Sequence, residues 1–211
     1  MRYGPVGDSG LMVSRVGVGC NAFGARIDFD QTSAVVDAAL DAGITLFDTA
    51  DSYADGVSEE FLGRALGKRR EDVIVATKFG MGDHDAEHFG AHAGRRYVRR
   101  AAEASLRRLG TDYIDLYQLH RPDSITPIEE TLDAMSELVT EGKVRYIGSS
   151  NLTAWQVADA DWTARTAGTQ RFISAQNEYS LYNRLAEDEL VPACEHFGIG
   201  LLPYFPLAYG L

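Results

Sequence analysis

The sequence is poor in cysteine and has no long apolar run. Its 211 residues include only two cysteines, Cys20 and Cys194, and so few thiols favour a reducing compartment over a disulfide-rich secreted fold. Residues 1–15 lack the apolar core of a signal peptide. No apolar run approaches the roughly 20 residues that cross a bilayer. We therefore expect a cytoplasmic protein without a membrane partner.

Positive charge is also in deficit. The chain has 20 lysines and arginines against 31 aspartates and glutamates, a net charge of −11, which argues against nucleic acid or an anionic membrane as the main partner. An anionic cofactor needs only a local positive patch and is not excluded. In the basic run 95–108 the arginines alternate with an apolar stripe, which predicts a solvated outer helix.

What the sequence does contain is a repeated alternation of short apolar runs and amphipathic stretches. The length allows one sizeable core, and we expect a single domain over residues 1–211. An N-cap and a final glycine predict the first helix, and charges suited to the helix dipole predict the second. Apolar residues at three- and four-residue spacing predict the other four, the last of which must bend or restart at Pro192. Strands are predicted at 15–20, 45–50, 72–78, 113–120, 144–150, 172–177 and 199–205, and helices at 31–43, 56–68, 95–110, 126–143, 153–168 and 184–198.

This alternation predicts an α/β fold with a mostly parallel sheet. The sheet is either open and doubly wound or a closed eight-stranded barrel. The glycines of 17–24 do not have the G-x-G-x-x-G spacing that an open dinucleotide-binding sheet would want, and polar residues stand at nearly every strand end. In a barrel these ends form one ring, where active sites lie, so we favour a (β/α)8 TIM barrel. The ring residues are Asn21, Asp48, Lys78, His120, Ser150, Asn151, Gln176 and Tyr204.

The predicted elements fall short of a complete barrel. Seven strands and six helices precede Leu211, whereas an eight-stranded barrel usually needs about 250 residues. We therefore expect the last helix–strand–helix stretch to be missing from this chain, which would leave the first and seventh strands as edges.

Four residues near the predicted strand ends suggest proton-transfer chemistry. Asp48 follows apolar residues, so its buried carboxylate needs a cation, and Lys78 is the basic residue at the end of the next strand. An ammonium beside Tyr53 would lower the pKa of the phenol and suit it to give a proton at neutral pH. His120 is placed to hydrogen-bond a substrate oxygen. Together these residues suit reduction of a carbonyl, with hydride from another source.

Five separated segments closely resemble the aldo-keto reductases, in order over essentially the whole chain. Within that family the sequence is most similar to the branch of bacterial oxidoreductases and potassium-channel β-subunits, and residues 1–20 resemble the hairpin that caps the bottom of the barrel there. The five segments are "LFDTADSYADGVSEEFLGRAL", "VIVATKFG", "ASLRRLGTDYIDLYQLHRPD", "GKVRYIGSSN" and "AQNEYSLYNR".

The resemblance implies a reversible hydride transfer between NAD(P)H and an aldehyde or ketone. It implies catalytic roles for Tyr53 as general acid, Asp48 and Lys78 as the pair that tunes it, and His120 as the residue that orients the substrate. It also implies a cofactor, NADP(H) with NAD(H) as the alternative, whose nicotinamide lies near Asp48 and is held by Ser150, Asn151, Gln176 and the stacking ring of Tyr204.

Two features depart from the family pattern. Phe205 stands where the family commonly has a small serine, which would alter the backbone near the pyrophosphate. The resemblance also implies that the residues for the adenosine 2′-phosphate lie in the missing stretch, so the preference for NADPH rests on the family alone.

Other candidates carry weaker signals. Asn21, Phe23 and Phe79 are candidate substrate contacts. The spacing of His84, His88 and His92 imitates a metal site, but the surrounding glycines favour a loop over the substrate mouth, and we expect no metal. Trp155 and Trp162 are expected to pack in the core or between helices.

Three readings of function remain open at this point. The chain is a carbonyl reductase, a nicotinamide-binding regulatory subunit with little turnover, or an inactive truncated chain. The tetrad does not distinguish them, because the channel β-subunits that the chain resembles keep these residues. Substrate identity and oligomeric state are not indicated by the sequence.

Overall fold

The computed structural model describes residues 1–81 and 91–208. The strands in this part of the chain are β1 Tyr3–Pro5, β2 Met12–Ser14, β3 Gly17–Gly19, β4 Leu46–Asp48, β5 Ile74–Phe79, β6 Ile114–Leu119, β7 Val144–Ser150, β8 Ser174–Glu178 and β9 Gly200–Tyr204. The α-helices are α1 Phe29–Asp41, α2 Val57–Leu66, α3 Arg95–Leu109, α4 Ile128–Thr140, α5 Ala154–Ala167 and α6 Leu190–Phe197. Short 3-10 helices lie at Tyr53–Gly56, Gly67–Asp72 and Leu185–Glu187.

The sheet has the parallel order that the alternation predicted. Strands β3 to β9 pair in chain order, each parallel to the next, while β1 and β2 form a separate antiparallel hairpin. Three strands separate β4 from β8, yet the Gln176 amide of β8 lies 3.0 Å from the Asp48 carboxylate of β4. The sheet therefore curls into a nearly closed barrel whose edges, among the described strands, are β3 and β9. The predicted barrel architecture is confirmed.

Two hydrophobic layers hold the barrel. The larger layer lies between the outward faces of the strands and the surrounding helices. The smaller one fills the lower barrel, where Leu46, Ala76 and Leu116 pack against Val6 and Val13 of the hairpin. The expectation that the N-terminal hairpin closes the bottom of the barrel is thus confirmed, and the polar side chains are left to the opposite end.

Helix ends follow local chemistry. Helix α1 begins two residues earlier than predicted, because the Asp28 side chain accepts a hydrogen bond from the Gln31 backbone and Gln31 Oε1 accepts one from the Asp28 backbone. The predicted helix over 184–198 is divided into the 3-10 turn at Leu185–Glu187 and helix α6. Pro192 lies in the first turn of α6, where a missing N–H costs little.

Helix α5 corrects one expectation. Trp155 and Trp162 are 67% and 64% exposed, because α5 buries the small residues of its other face, including Val157 and Ala160. These two indoles therefore face solvent in the described structure. No helix in the described ranges is both long and apolar enough to cross a membrane.

Candidate active site

Three of the four predicted catalytic residues meet around one buried ammonium at the carboxyl end of the barrel. Lys78 of β5 has no exposed side-chain surface, and its Nζ lies 2.6 Å from Asp48 Oδ2, which ends β4. The same Nζ lies 3.3 Å from the Tyr53 hydroxyl and 2.8 Å from the Thr49 carbonyl oxygen. Because three acceptors surround it, the ammonium is satisfied without water.

The second oxygen of Asp48 is held by two amides. Gln118 Nε2 donates to Asp48 Oδ1 at 3.1 Å and Gln176 Nε2 donates to it at 3.0 Å. Gln118 is fully buried and pairs in register with Lys78. Gln118 is not among the predicted site residues, although a polar side chain two positions before His120 in an apolar strand points to the same inward face.

Tyr53 is carried by a turn with unusual backbone geometry. Ala54 and Asp55 have φ values of 49° and 53°, and Gly56 follows with φ 90°. A left-handed conformation costs a non-glycine residue about 1–2 kcal/mol, so the local chain does not favour this turn by itself. Its persistence requires support from the surrounding structure.

Charge and burial together determine the protonation states of Tyr53 and Lys78. Burial raises the pKa of the Tyr53 phenol, and the opposing effect of the Lys78 ammonium only partly offsets it. The expectation of a lowered phenol pKa is therefore wrong for this structure. Burial also lowers the pKa of Lys78, but Asp48 and Tyr53 outweigh that effect and leave it raised. Both groups accordingly keep their protons at neutral pH.

His120 approaches Tyr53 from another side. It directly follows β6, and its ring lies edge-on to the Tyr53 ring with centroids 5.9 Å apart. Burial, with smaller effects of Lys78 and Arg121, lowers the pKa of His120 to about 3. Its Nδ1 is buried and makes no hydrogen bond within the part of the chain that the structure describes. At neutral pH this residue is an uncharged imidazole beside the phenol.

The predicted cofactor residues also come together. Ser150 Oγ donates to the Gln176 carbonyl oxygen at 2.8 Å, and Asn151 Nδ2 donates to Ser150 Oγ at 3.0 Å. The Tyr204 hydroxyl donates to Asn151 Oδ1 at 2.8 Å. This set combines a hydroxyl, two amides and an aromatic ring beside Asp48, which is chemistry that suits a nicotinamide carboxamide and its ring.

Two residues in this part of the site have a left-handed backbone, Asn151 itself and Phe205, which follows Tyr204. Asn151 has φ 59° and Phe205 has φ 49°. Asparagine tolerates this region well, whereas it is a genuine outlier for an aromatic residue. Phe205 packs edge-on against Tyr204, with ring centroids 5.2 Å apart. The departure from the family pattern noted at this position thus coincides with unusual backbone geometry.

The candidate substrate residues separate into two groups. Asn21 is exposed, whereas Phe23 and Phe79 are 2% and 0% exposed and belong to the core between strands and helices. Phe79 stacks on Tyr117 with centroids 4.7 Å apart. Because it follows the inward-pointing Lys78, it points to the opposite face of β5. Phe23 and Phe79 therefore do not line the mouth in this structure.

The histidine spacing considered above falls largely beyond what the structure describes. His84 and His88 lie within 82–90, outside the described residues. His92 is described and its ring packs edge-on against Tyr97. Across the described ranges no group of three or more potential ligands could hold a metal ion.

Comparison with known proteins places this barrel in a family. Residues 15–211 match the model of the aldo/keto reductase family. The chain belongs to the aldo/keto reductase family. Relatives that are named as a reductase or a dehydrogenase support oxidoreductase activity.

Three relatives illustrate the similarity. The chain is 37% identical over 235 residues to versiconal hemiacetal acetate reductase of Aspergillus parasiticus. It is 39% identical over 210 residues to "Probable aldo-keto reductase 1" of Glycine max. It is 38% identical over 216 residues to "Probable voltage-gated potassium channel subunit beta" of Oryza sativa subsp. japonica. These alignments cover 100%, 97% and 100% of this chain but 68%, 59% and 65% of the relatives.

Proposed function

We propose that the chain carries the active site of a nicotinamide-dependent reductase that converts an aldehyde or ketone to an alcohol. The observation that supports this most is the position of Lys78 Nζ, which touches both the Asp48 carboxylate and the Tyr53 hydroxyl at the barrel mouth. A phenol in contact with a buried, charge-compensated ammonium is suited to donate a proton, because the ammonium then stabilises the phenolate that remains.

Tyr53 is the proton donor in this proposal. A reduced nicotinamide, when bound, would supply the hydride that the carbonyl carbon accepts. As the new C–H bond forms, the π bond of the carbonyl breaks and its oxygen takes the proton of the Tyr53 hydroxyl. The remaining phenolate is stabilised by Lys78 at 3.3 Å, and a proton from water restores the phenol. The raised phenol pKa ensures that the proton is present when the substrate arrives.

Asp48 and His120 have separate parts. Asp48 compensates the charge of Lys78, which would otherwise be buried alone and would tend to lose its proton. His120 is uncharged at neutral pH because its pKa is about 3, so it orients the carbonyl oxygen by hydrogen bonding and leaves proton donation to Tyr53. Proton donation is assigned to Tyr53 and not to Lys78, because the Lys78 ammonium is held by the Asp48 carboxylate and the Thr49 carbonyl oxygen.

Ser150, Asn151 and Gln176 would hold the carboxamide of the nicotinamide, and the ring of Tyr204 would support its face. Their proximity to Asp48 supports a hydride donor on this side of the mouth. NADP(H) is the proposed cofactor on the basis of the family, with NAD(H) as the alternative. We assign none of the described residues to the adenosine 2′-phosphate. The cellular location proposed with this function is the cytoplasm.

A second candidate function is a nicotinamide-binding subunit with little turnover. The similarity to a protein named as a potassium channel β-subunit favours it, and the same tetrad is compatible with either function. The two differ in how fast a bound reduced nicotinamide is consumed.

Two measurements on the purified chain separate the candidates. Nucleotide content and binding of NADPH and NADH, followed by quenching of protein fluorescence, report the cofactor site. Oxidation of the bound reduced nicotinamide with a panel of aldehydes and ketones reports catalysis. Binding with turnover supports the reductase, and binding with negligible turnover supports the subunit. A chain that binds neither nucleotide would contradict both.

A further inference from the structure

The turn that carries Tyr53 is held from outside the barrel. A Cβ atom added to Gly56 would lie 2.6 Å from Arg108 Cδ and 2.7 Å from Arg108 Nε. The Arg108 side chain of α3 therefore lies directly against the backbone of Gly56, where the left-handed turn ends. This contact limits how far the turn can move away from the barrel.

Arg108 is itself fixed by a buried carboxylate. Its Nε and Nη2 atoms both lie 2.6 Å from Glu59 Oε2. The Glu59 side chain has no exposed surface. Because a buried carboxylate is strongly disfavoured without a partner, the guanidinium has little freedom to leave this position. The pair joins the first turn of α2 to the last turn of α3.

The other oxygen of Glu59 reaches the strand that carries the ammonium. Thr77 Oγ1 donates to Glu59 Oε1 at 2.5 Å, and Thr77 directly precedes Lys78 in β5. Successive side chains of a strand point to opposite faces, so Thr77 faces the helices while Lys78 faces the barrel. One ion pair outside the barrel thus contacts both the strand of the ammonium and the turn of the phenol.

We propose that Glu59 and Arg108 are positioning residues that set the distance between the Lys78 ammonium and the Tyr53 hydroxyl. This inference rests on the proposed function, in which that distance governs proton transfer. Lys78 is fixed inside the barrel by Asp48 and the Thr49 carbonyl. Tyr53 lies on a turn that its own backbone does not favour. The contacts of Glu59 and Arg108 therefore act on Tyr53, which is less firmly fixed than Lys78.

A purely structural pair would behave differently. If Glu59 and Arg108 only join α2 to α3, their loss should loosen the helix contact and lower stability without a local effect at 53–57. A pair that positions the turn should release 53–57 first. The variant Arg108→Lys separates these readings, because lysine keeps a positive charge for Glu59 but lacks the guanidinium atoms, Nε and Cζ, that lie beside Cδ against Gly56.

The experiment compares Arg108→Lys with Arg99→Lys by hydrogen exchange and thermal melting. Arg99 is a matched control on the same helix, and its partners Glu137 and Glu141 lie at the surface. We expect Arg108→Lys to increase amide exchange of 53–57 by about tenfold or more, with exchange of 60–66 in α2 and 95–109 in α3 and the melting temperature close to those of Arg99→Lys. Unchanged exchange of 53–57, or an equal increase at 53–57 and in these parts of α2 and α3, would overturn the proposal.

Turnover gives a second test that is independent of the first. Given a parent chain that reduces a carbonyl, we expect Arg108→Lys to lower kcat by about 10- to 100-fold with little change in KM for the nucleotide. Equal kcat in Arg108→Lys and Arg99→Lys would overturn the positioning role. A parent chain without turnover would count against the proposed function alone, because the exchange measurement still decides whether the pair holds the turn.

Discussion

The ammonium of Lys78 lies 3.3 Å from the hydroxyl oxygen of Tyr53. The two residues are 25 positions apart in the chain, and they come from a strand and from the turn after the neighbouring strand. Burial and this contact act on the phenol in opposite directions, and burial is the stronger. The phenol is thus protonated at neutral pH, while a charge that would stabilise its anion is already in place.

Replacement of Lys78 by methionine tests the role of the ammonium. Lys78→Met keeps the length of the side chain but leaves a phenolate at Tyr53 without a nearby cation. We expect the reduction rate to fall by about 100-fold or more, while nucleotide affinity changes by less than about threefold. Steady-state oxidation of NADPH and fluorescence titration measure the two quantities.

The matched control for this change is Lys68→Met, since Lys68 is exposed. The control should match the parent in both measurements. Lys78→Met turnover near that of the control would show that the ammonium is not needed.

Two titratable groups near the site should give opposite pH dependences of stability. Burial lowers the pKa of His120 from 6.5 to about 3, so the unfolded chain binds this proton first, and stability falls as pH falls through that range. Burial and the neighbouring Glu59 raise the pKa of Asp51 from 3.8 to about 7. The folded chain then holds a proton that the unfolded chain releases, so stability falls as pH rises from about 4 to 7.

Asp51→Asn should reveal the effect of His120. The two contributions oppose each other between about pH 4 and 6.5, and the substitution removes only one. We expect the free energy of unfolding of Asp51→Asn to rise with pH across this range relative to the parent, by up to about 1.4 kcal/mol per pH unit. Urea unfolding at several pH values measures this. Parallel pH profiles of the variant and the parent would contradict the assignment of Asp51.

Helices α2 and α3 approach closely at Gly63. A Cβ atom there would lie 2.3 Å from the Leu109 carbonyl oxygen, which belongs to backbone and has no room to move. Although alanine favours helices over glycine, we expect Gly63→Ala to lower the free energy of unfolding by about 1–3 kcal/mol. Denaturant unfolding provides the measurement.

Gly19→Ala is the control for this substitution, because nothing lies within 4 Å of an added Cβ there. It should leave stability nearly unchanged. A Gly63→Ala variant as stable as Gly19→Ala would show that the helix contact is looser than described.

Much of the fold could be predicted from the sequence. All seven barrel strands overlap the segments that the sequence predicts. The central strands β5 and β6 are buried over nearly their whole length, as expected for a parallel sheet covered on both faces, whereas the edge strands β3 and β9 are partly exposed. The ring of polar strand ends was equally visible, since parallel strands bring their carboxyl ends to one side. Asp48, Tyr53 and Lys78 were therefore expected to meet, and the structure places them within hydrogen-bonding distance of Lys78 Nζ.

Other features depended on three-dimensional packing. The contacts of Glu59 with Arg108 and Thr77 join α2 to α3 and β5. Nothing in the local sequence indicates which charges will be buried together. The direction of the Tyr53 pKa depended on whether burial or Lys78 dominated, and only the degree of burial decides that. Phe79 is different, because the alternation of side chains along β5 already indicates that it points away from Lys78.

Removal of the Tyr53 hydroxyl tests the central claim most directly. Tyr53→Phe keeps the ring that packs against His120 but cannot donate a proton, and Tyr182→Phe, at an exposed position, controls for the loss of a hydroxyl. We predict that Tyr53→Phe lowers the rate of carbonyl reduction by at least about 100-fold while nucleotide affinity stays within about twofold of the parent. A Tyr53→Phe chain that keeps most of the turnover of Tyr182→Phe would contradict the account.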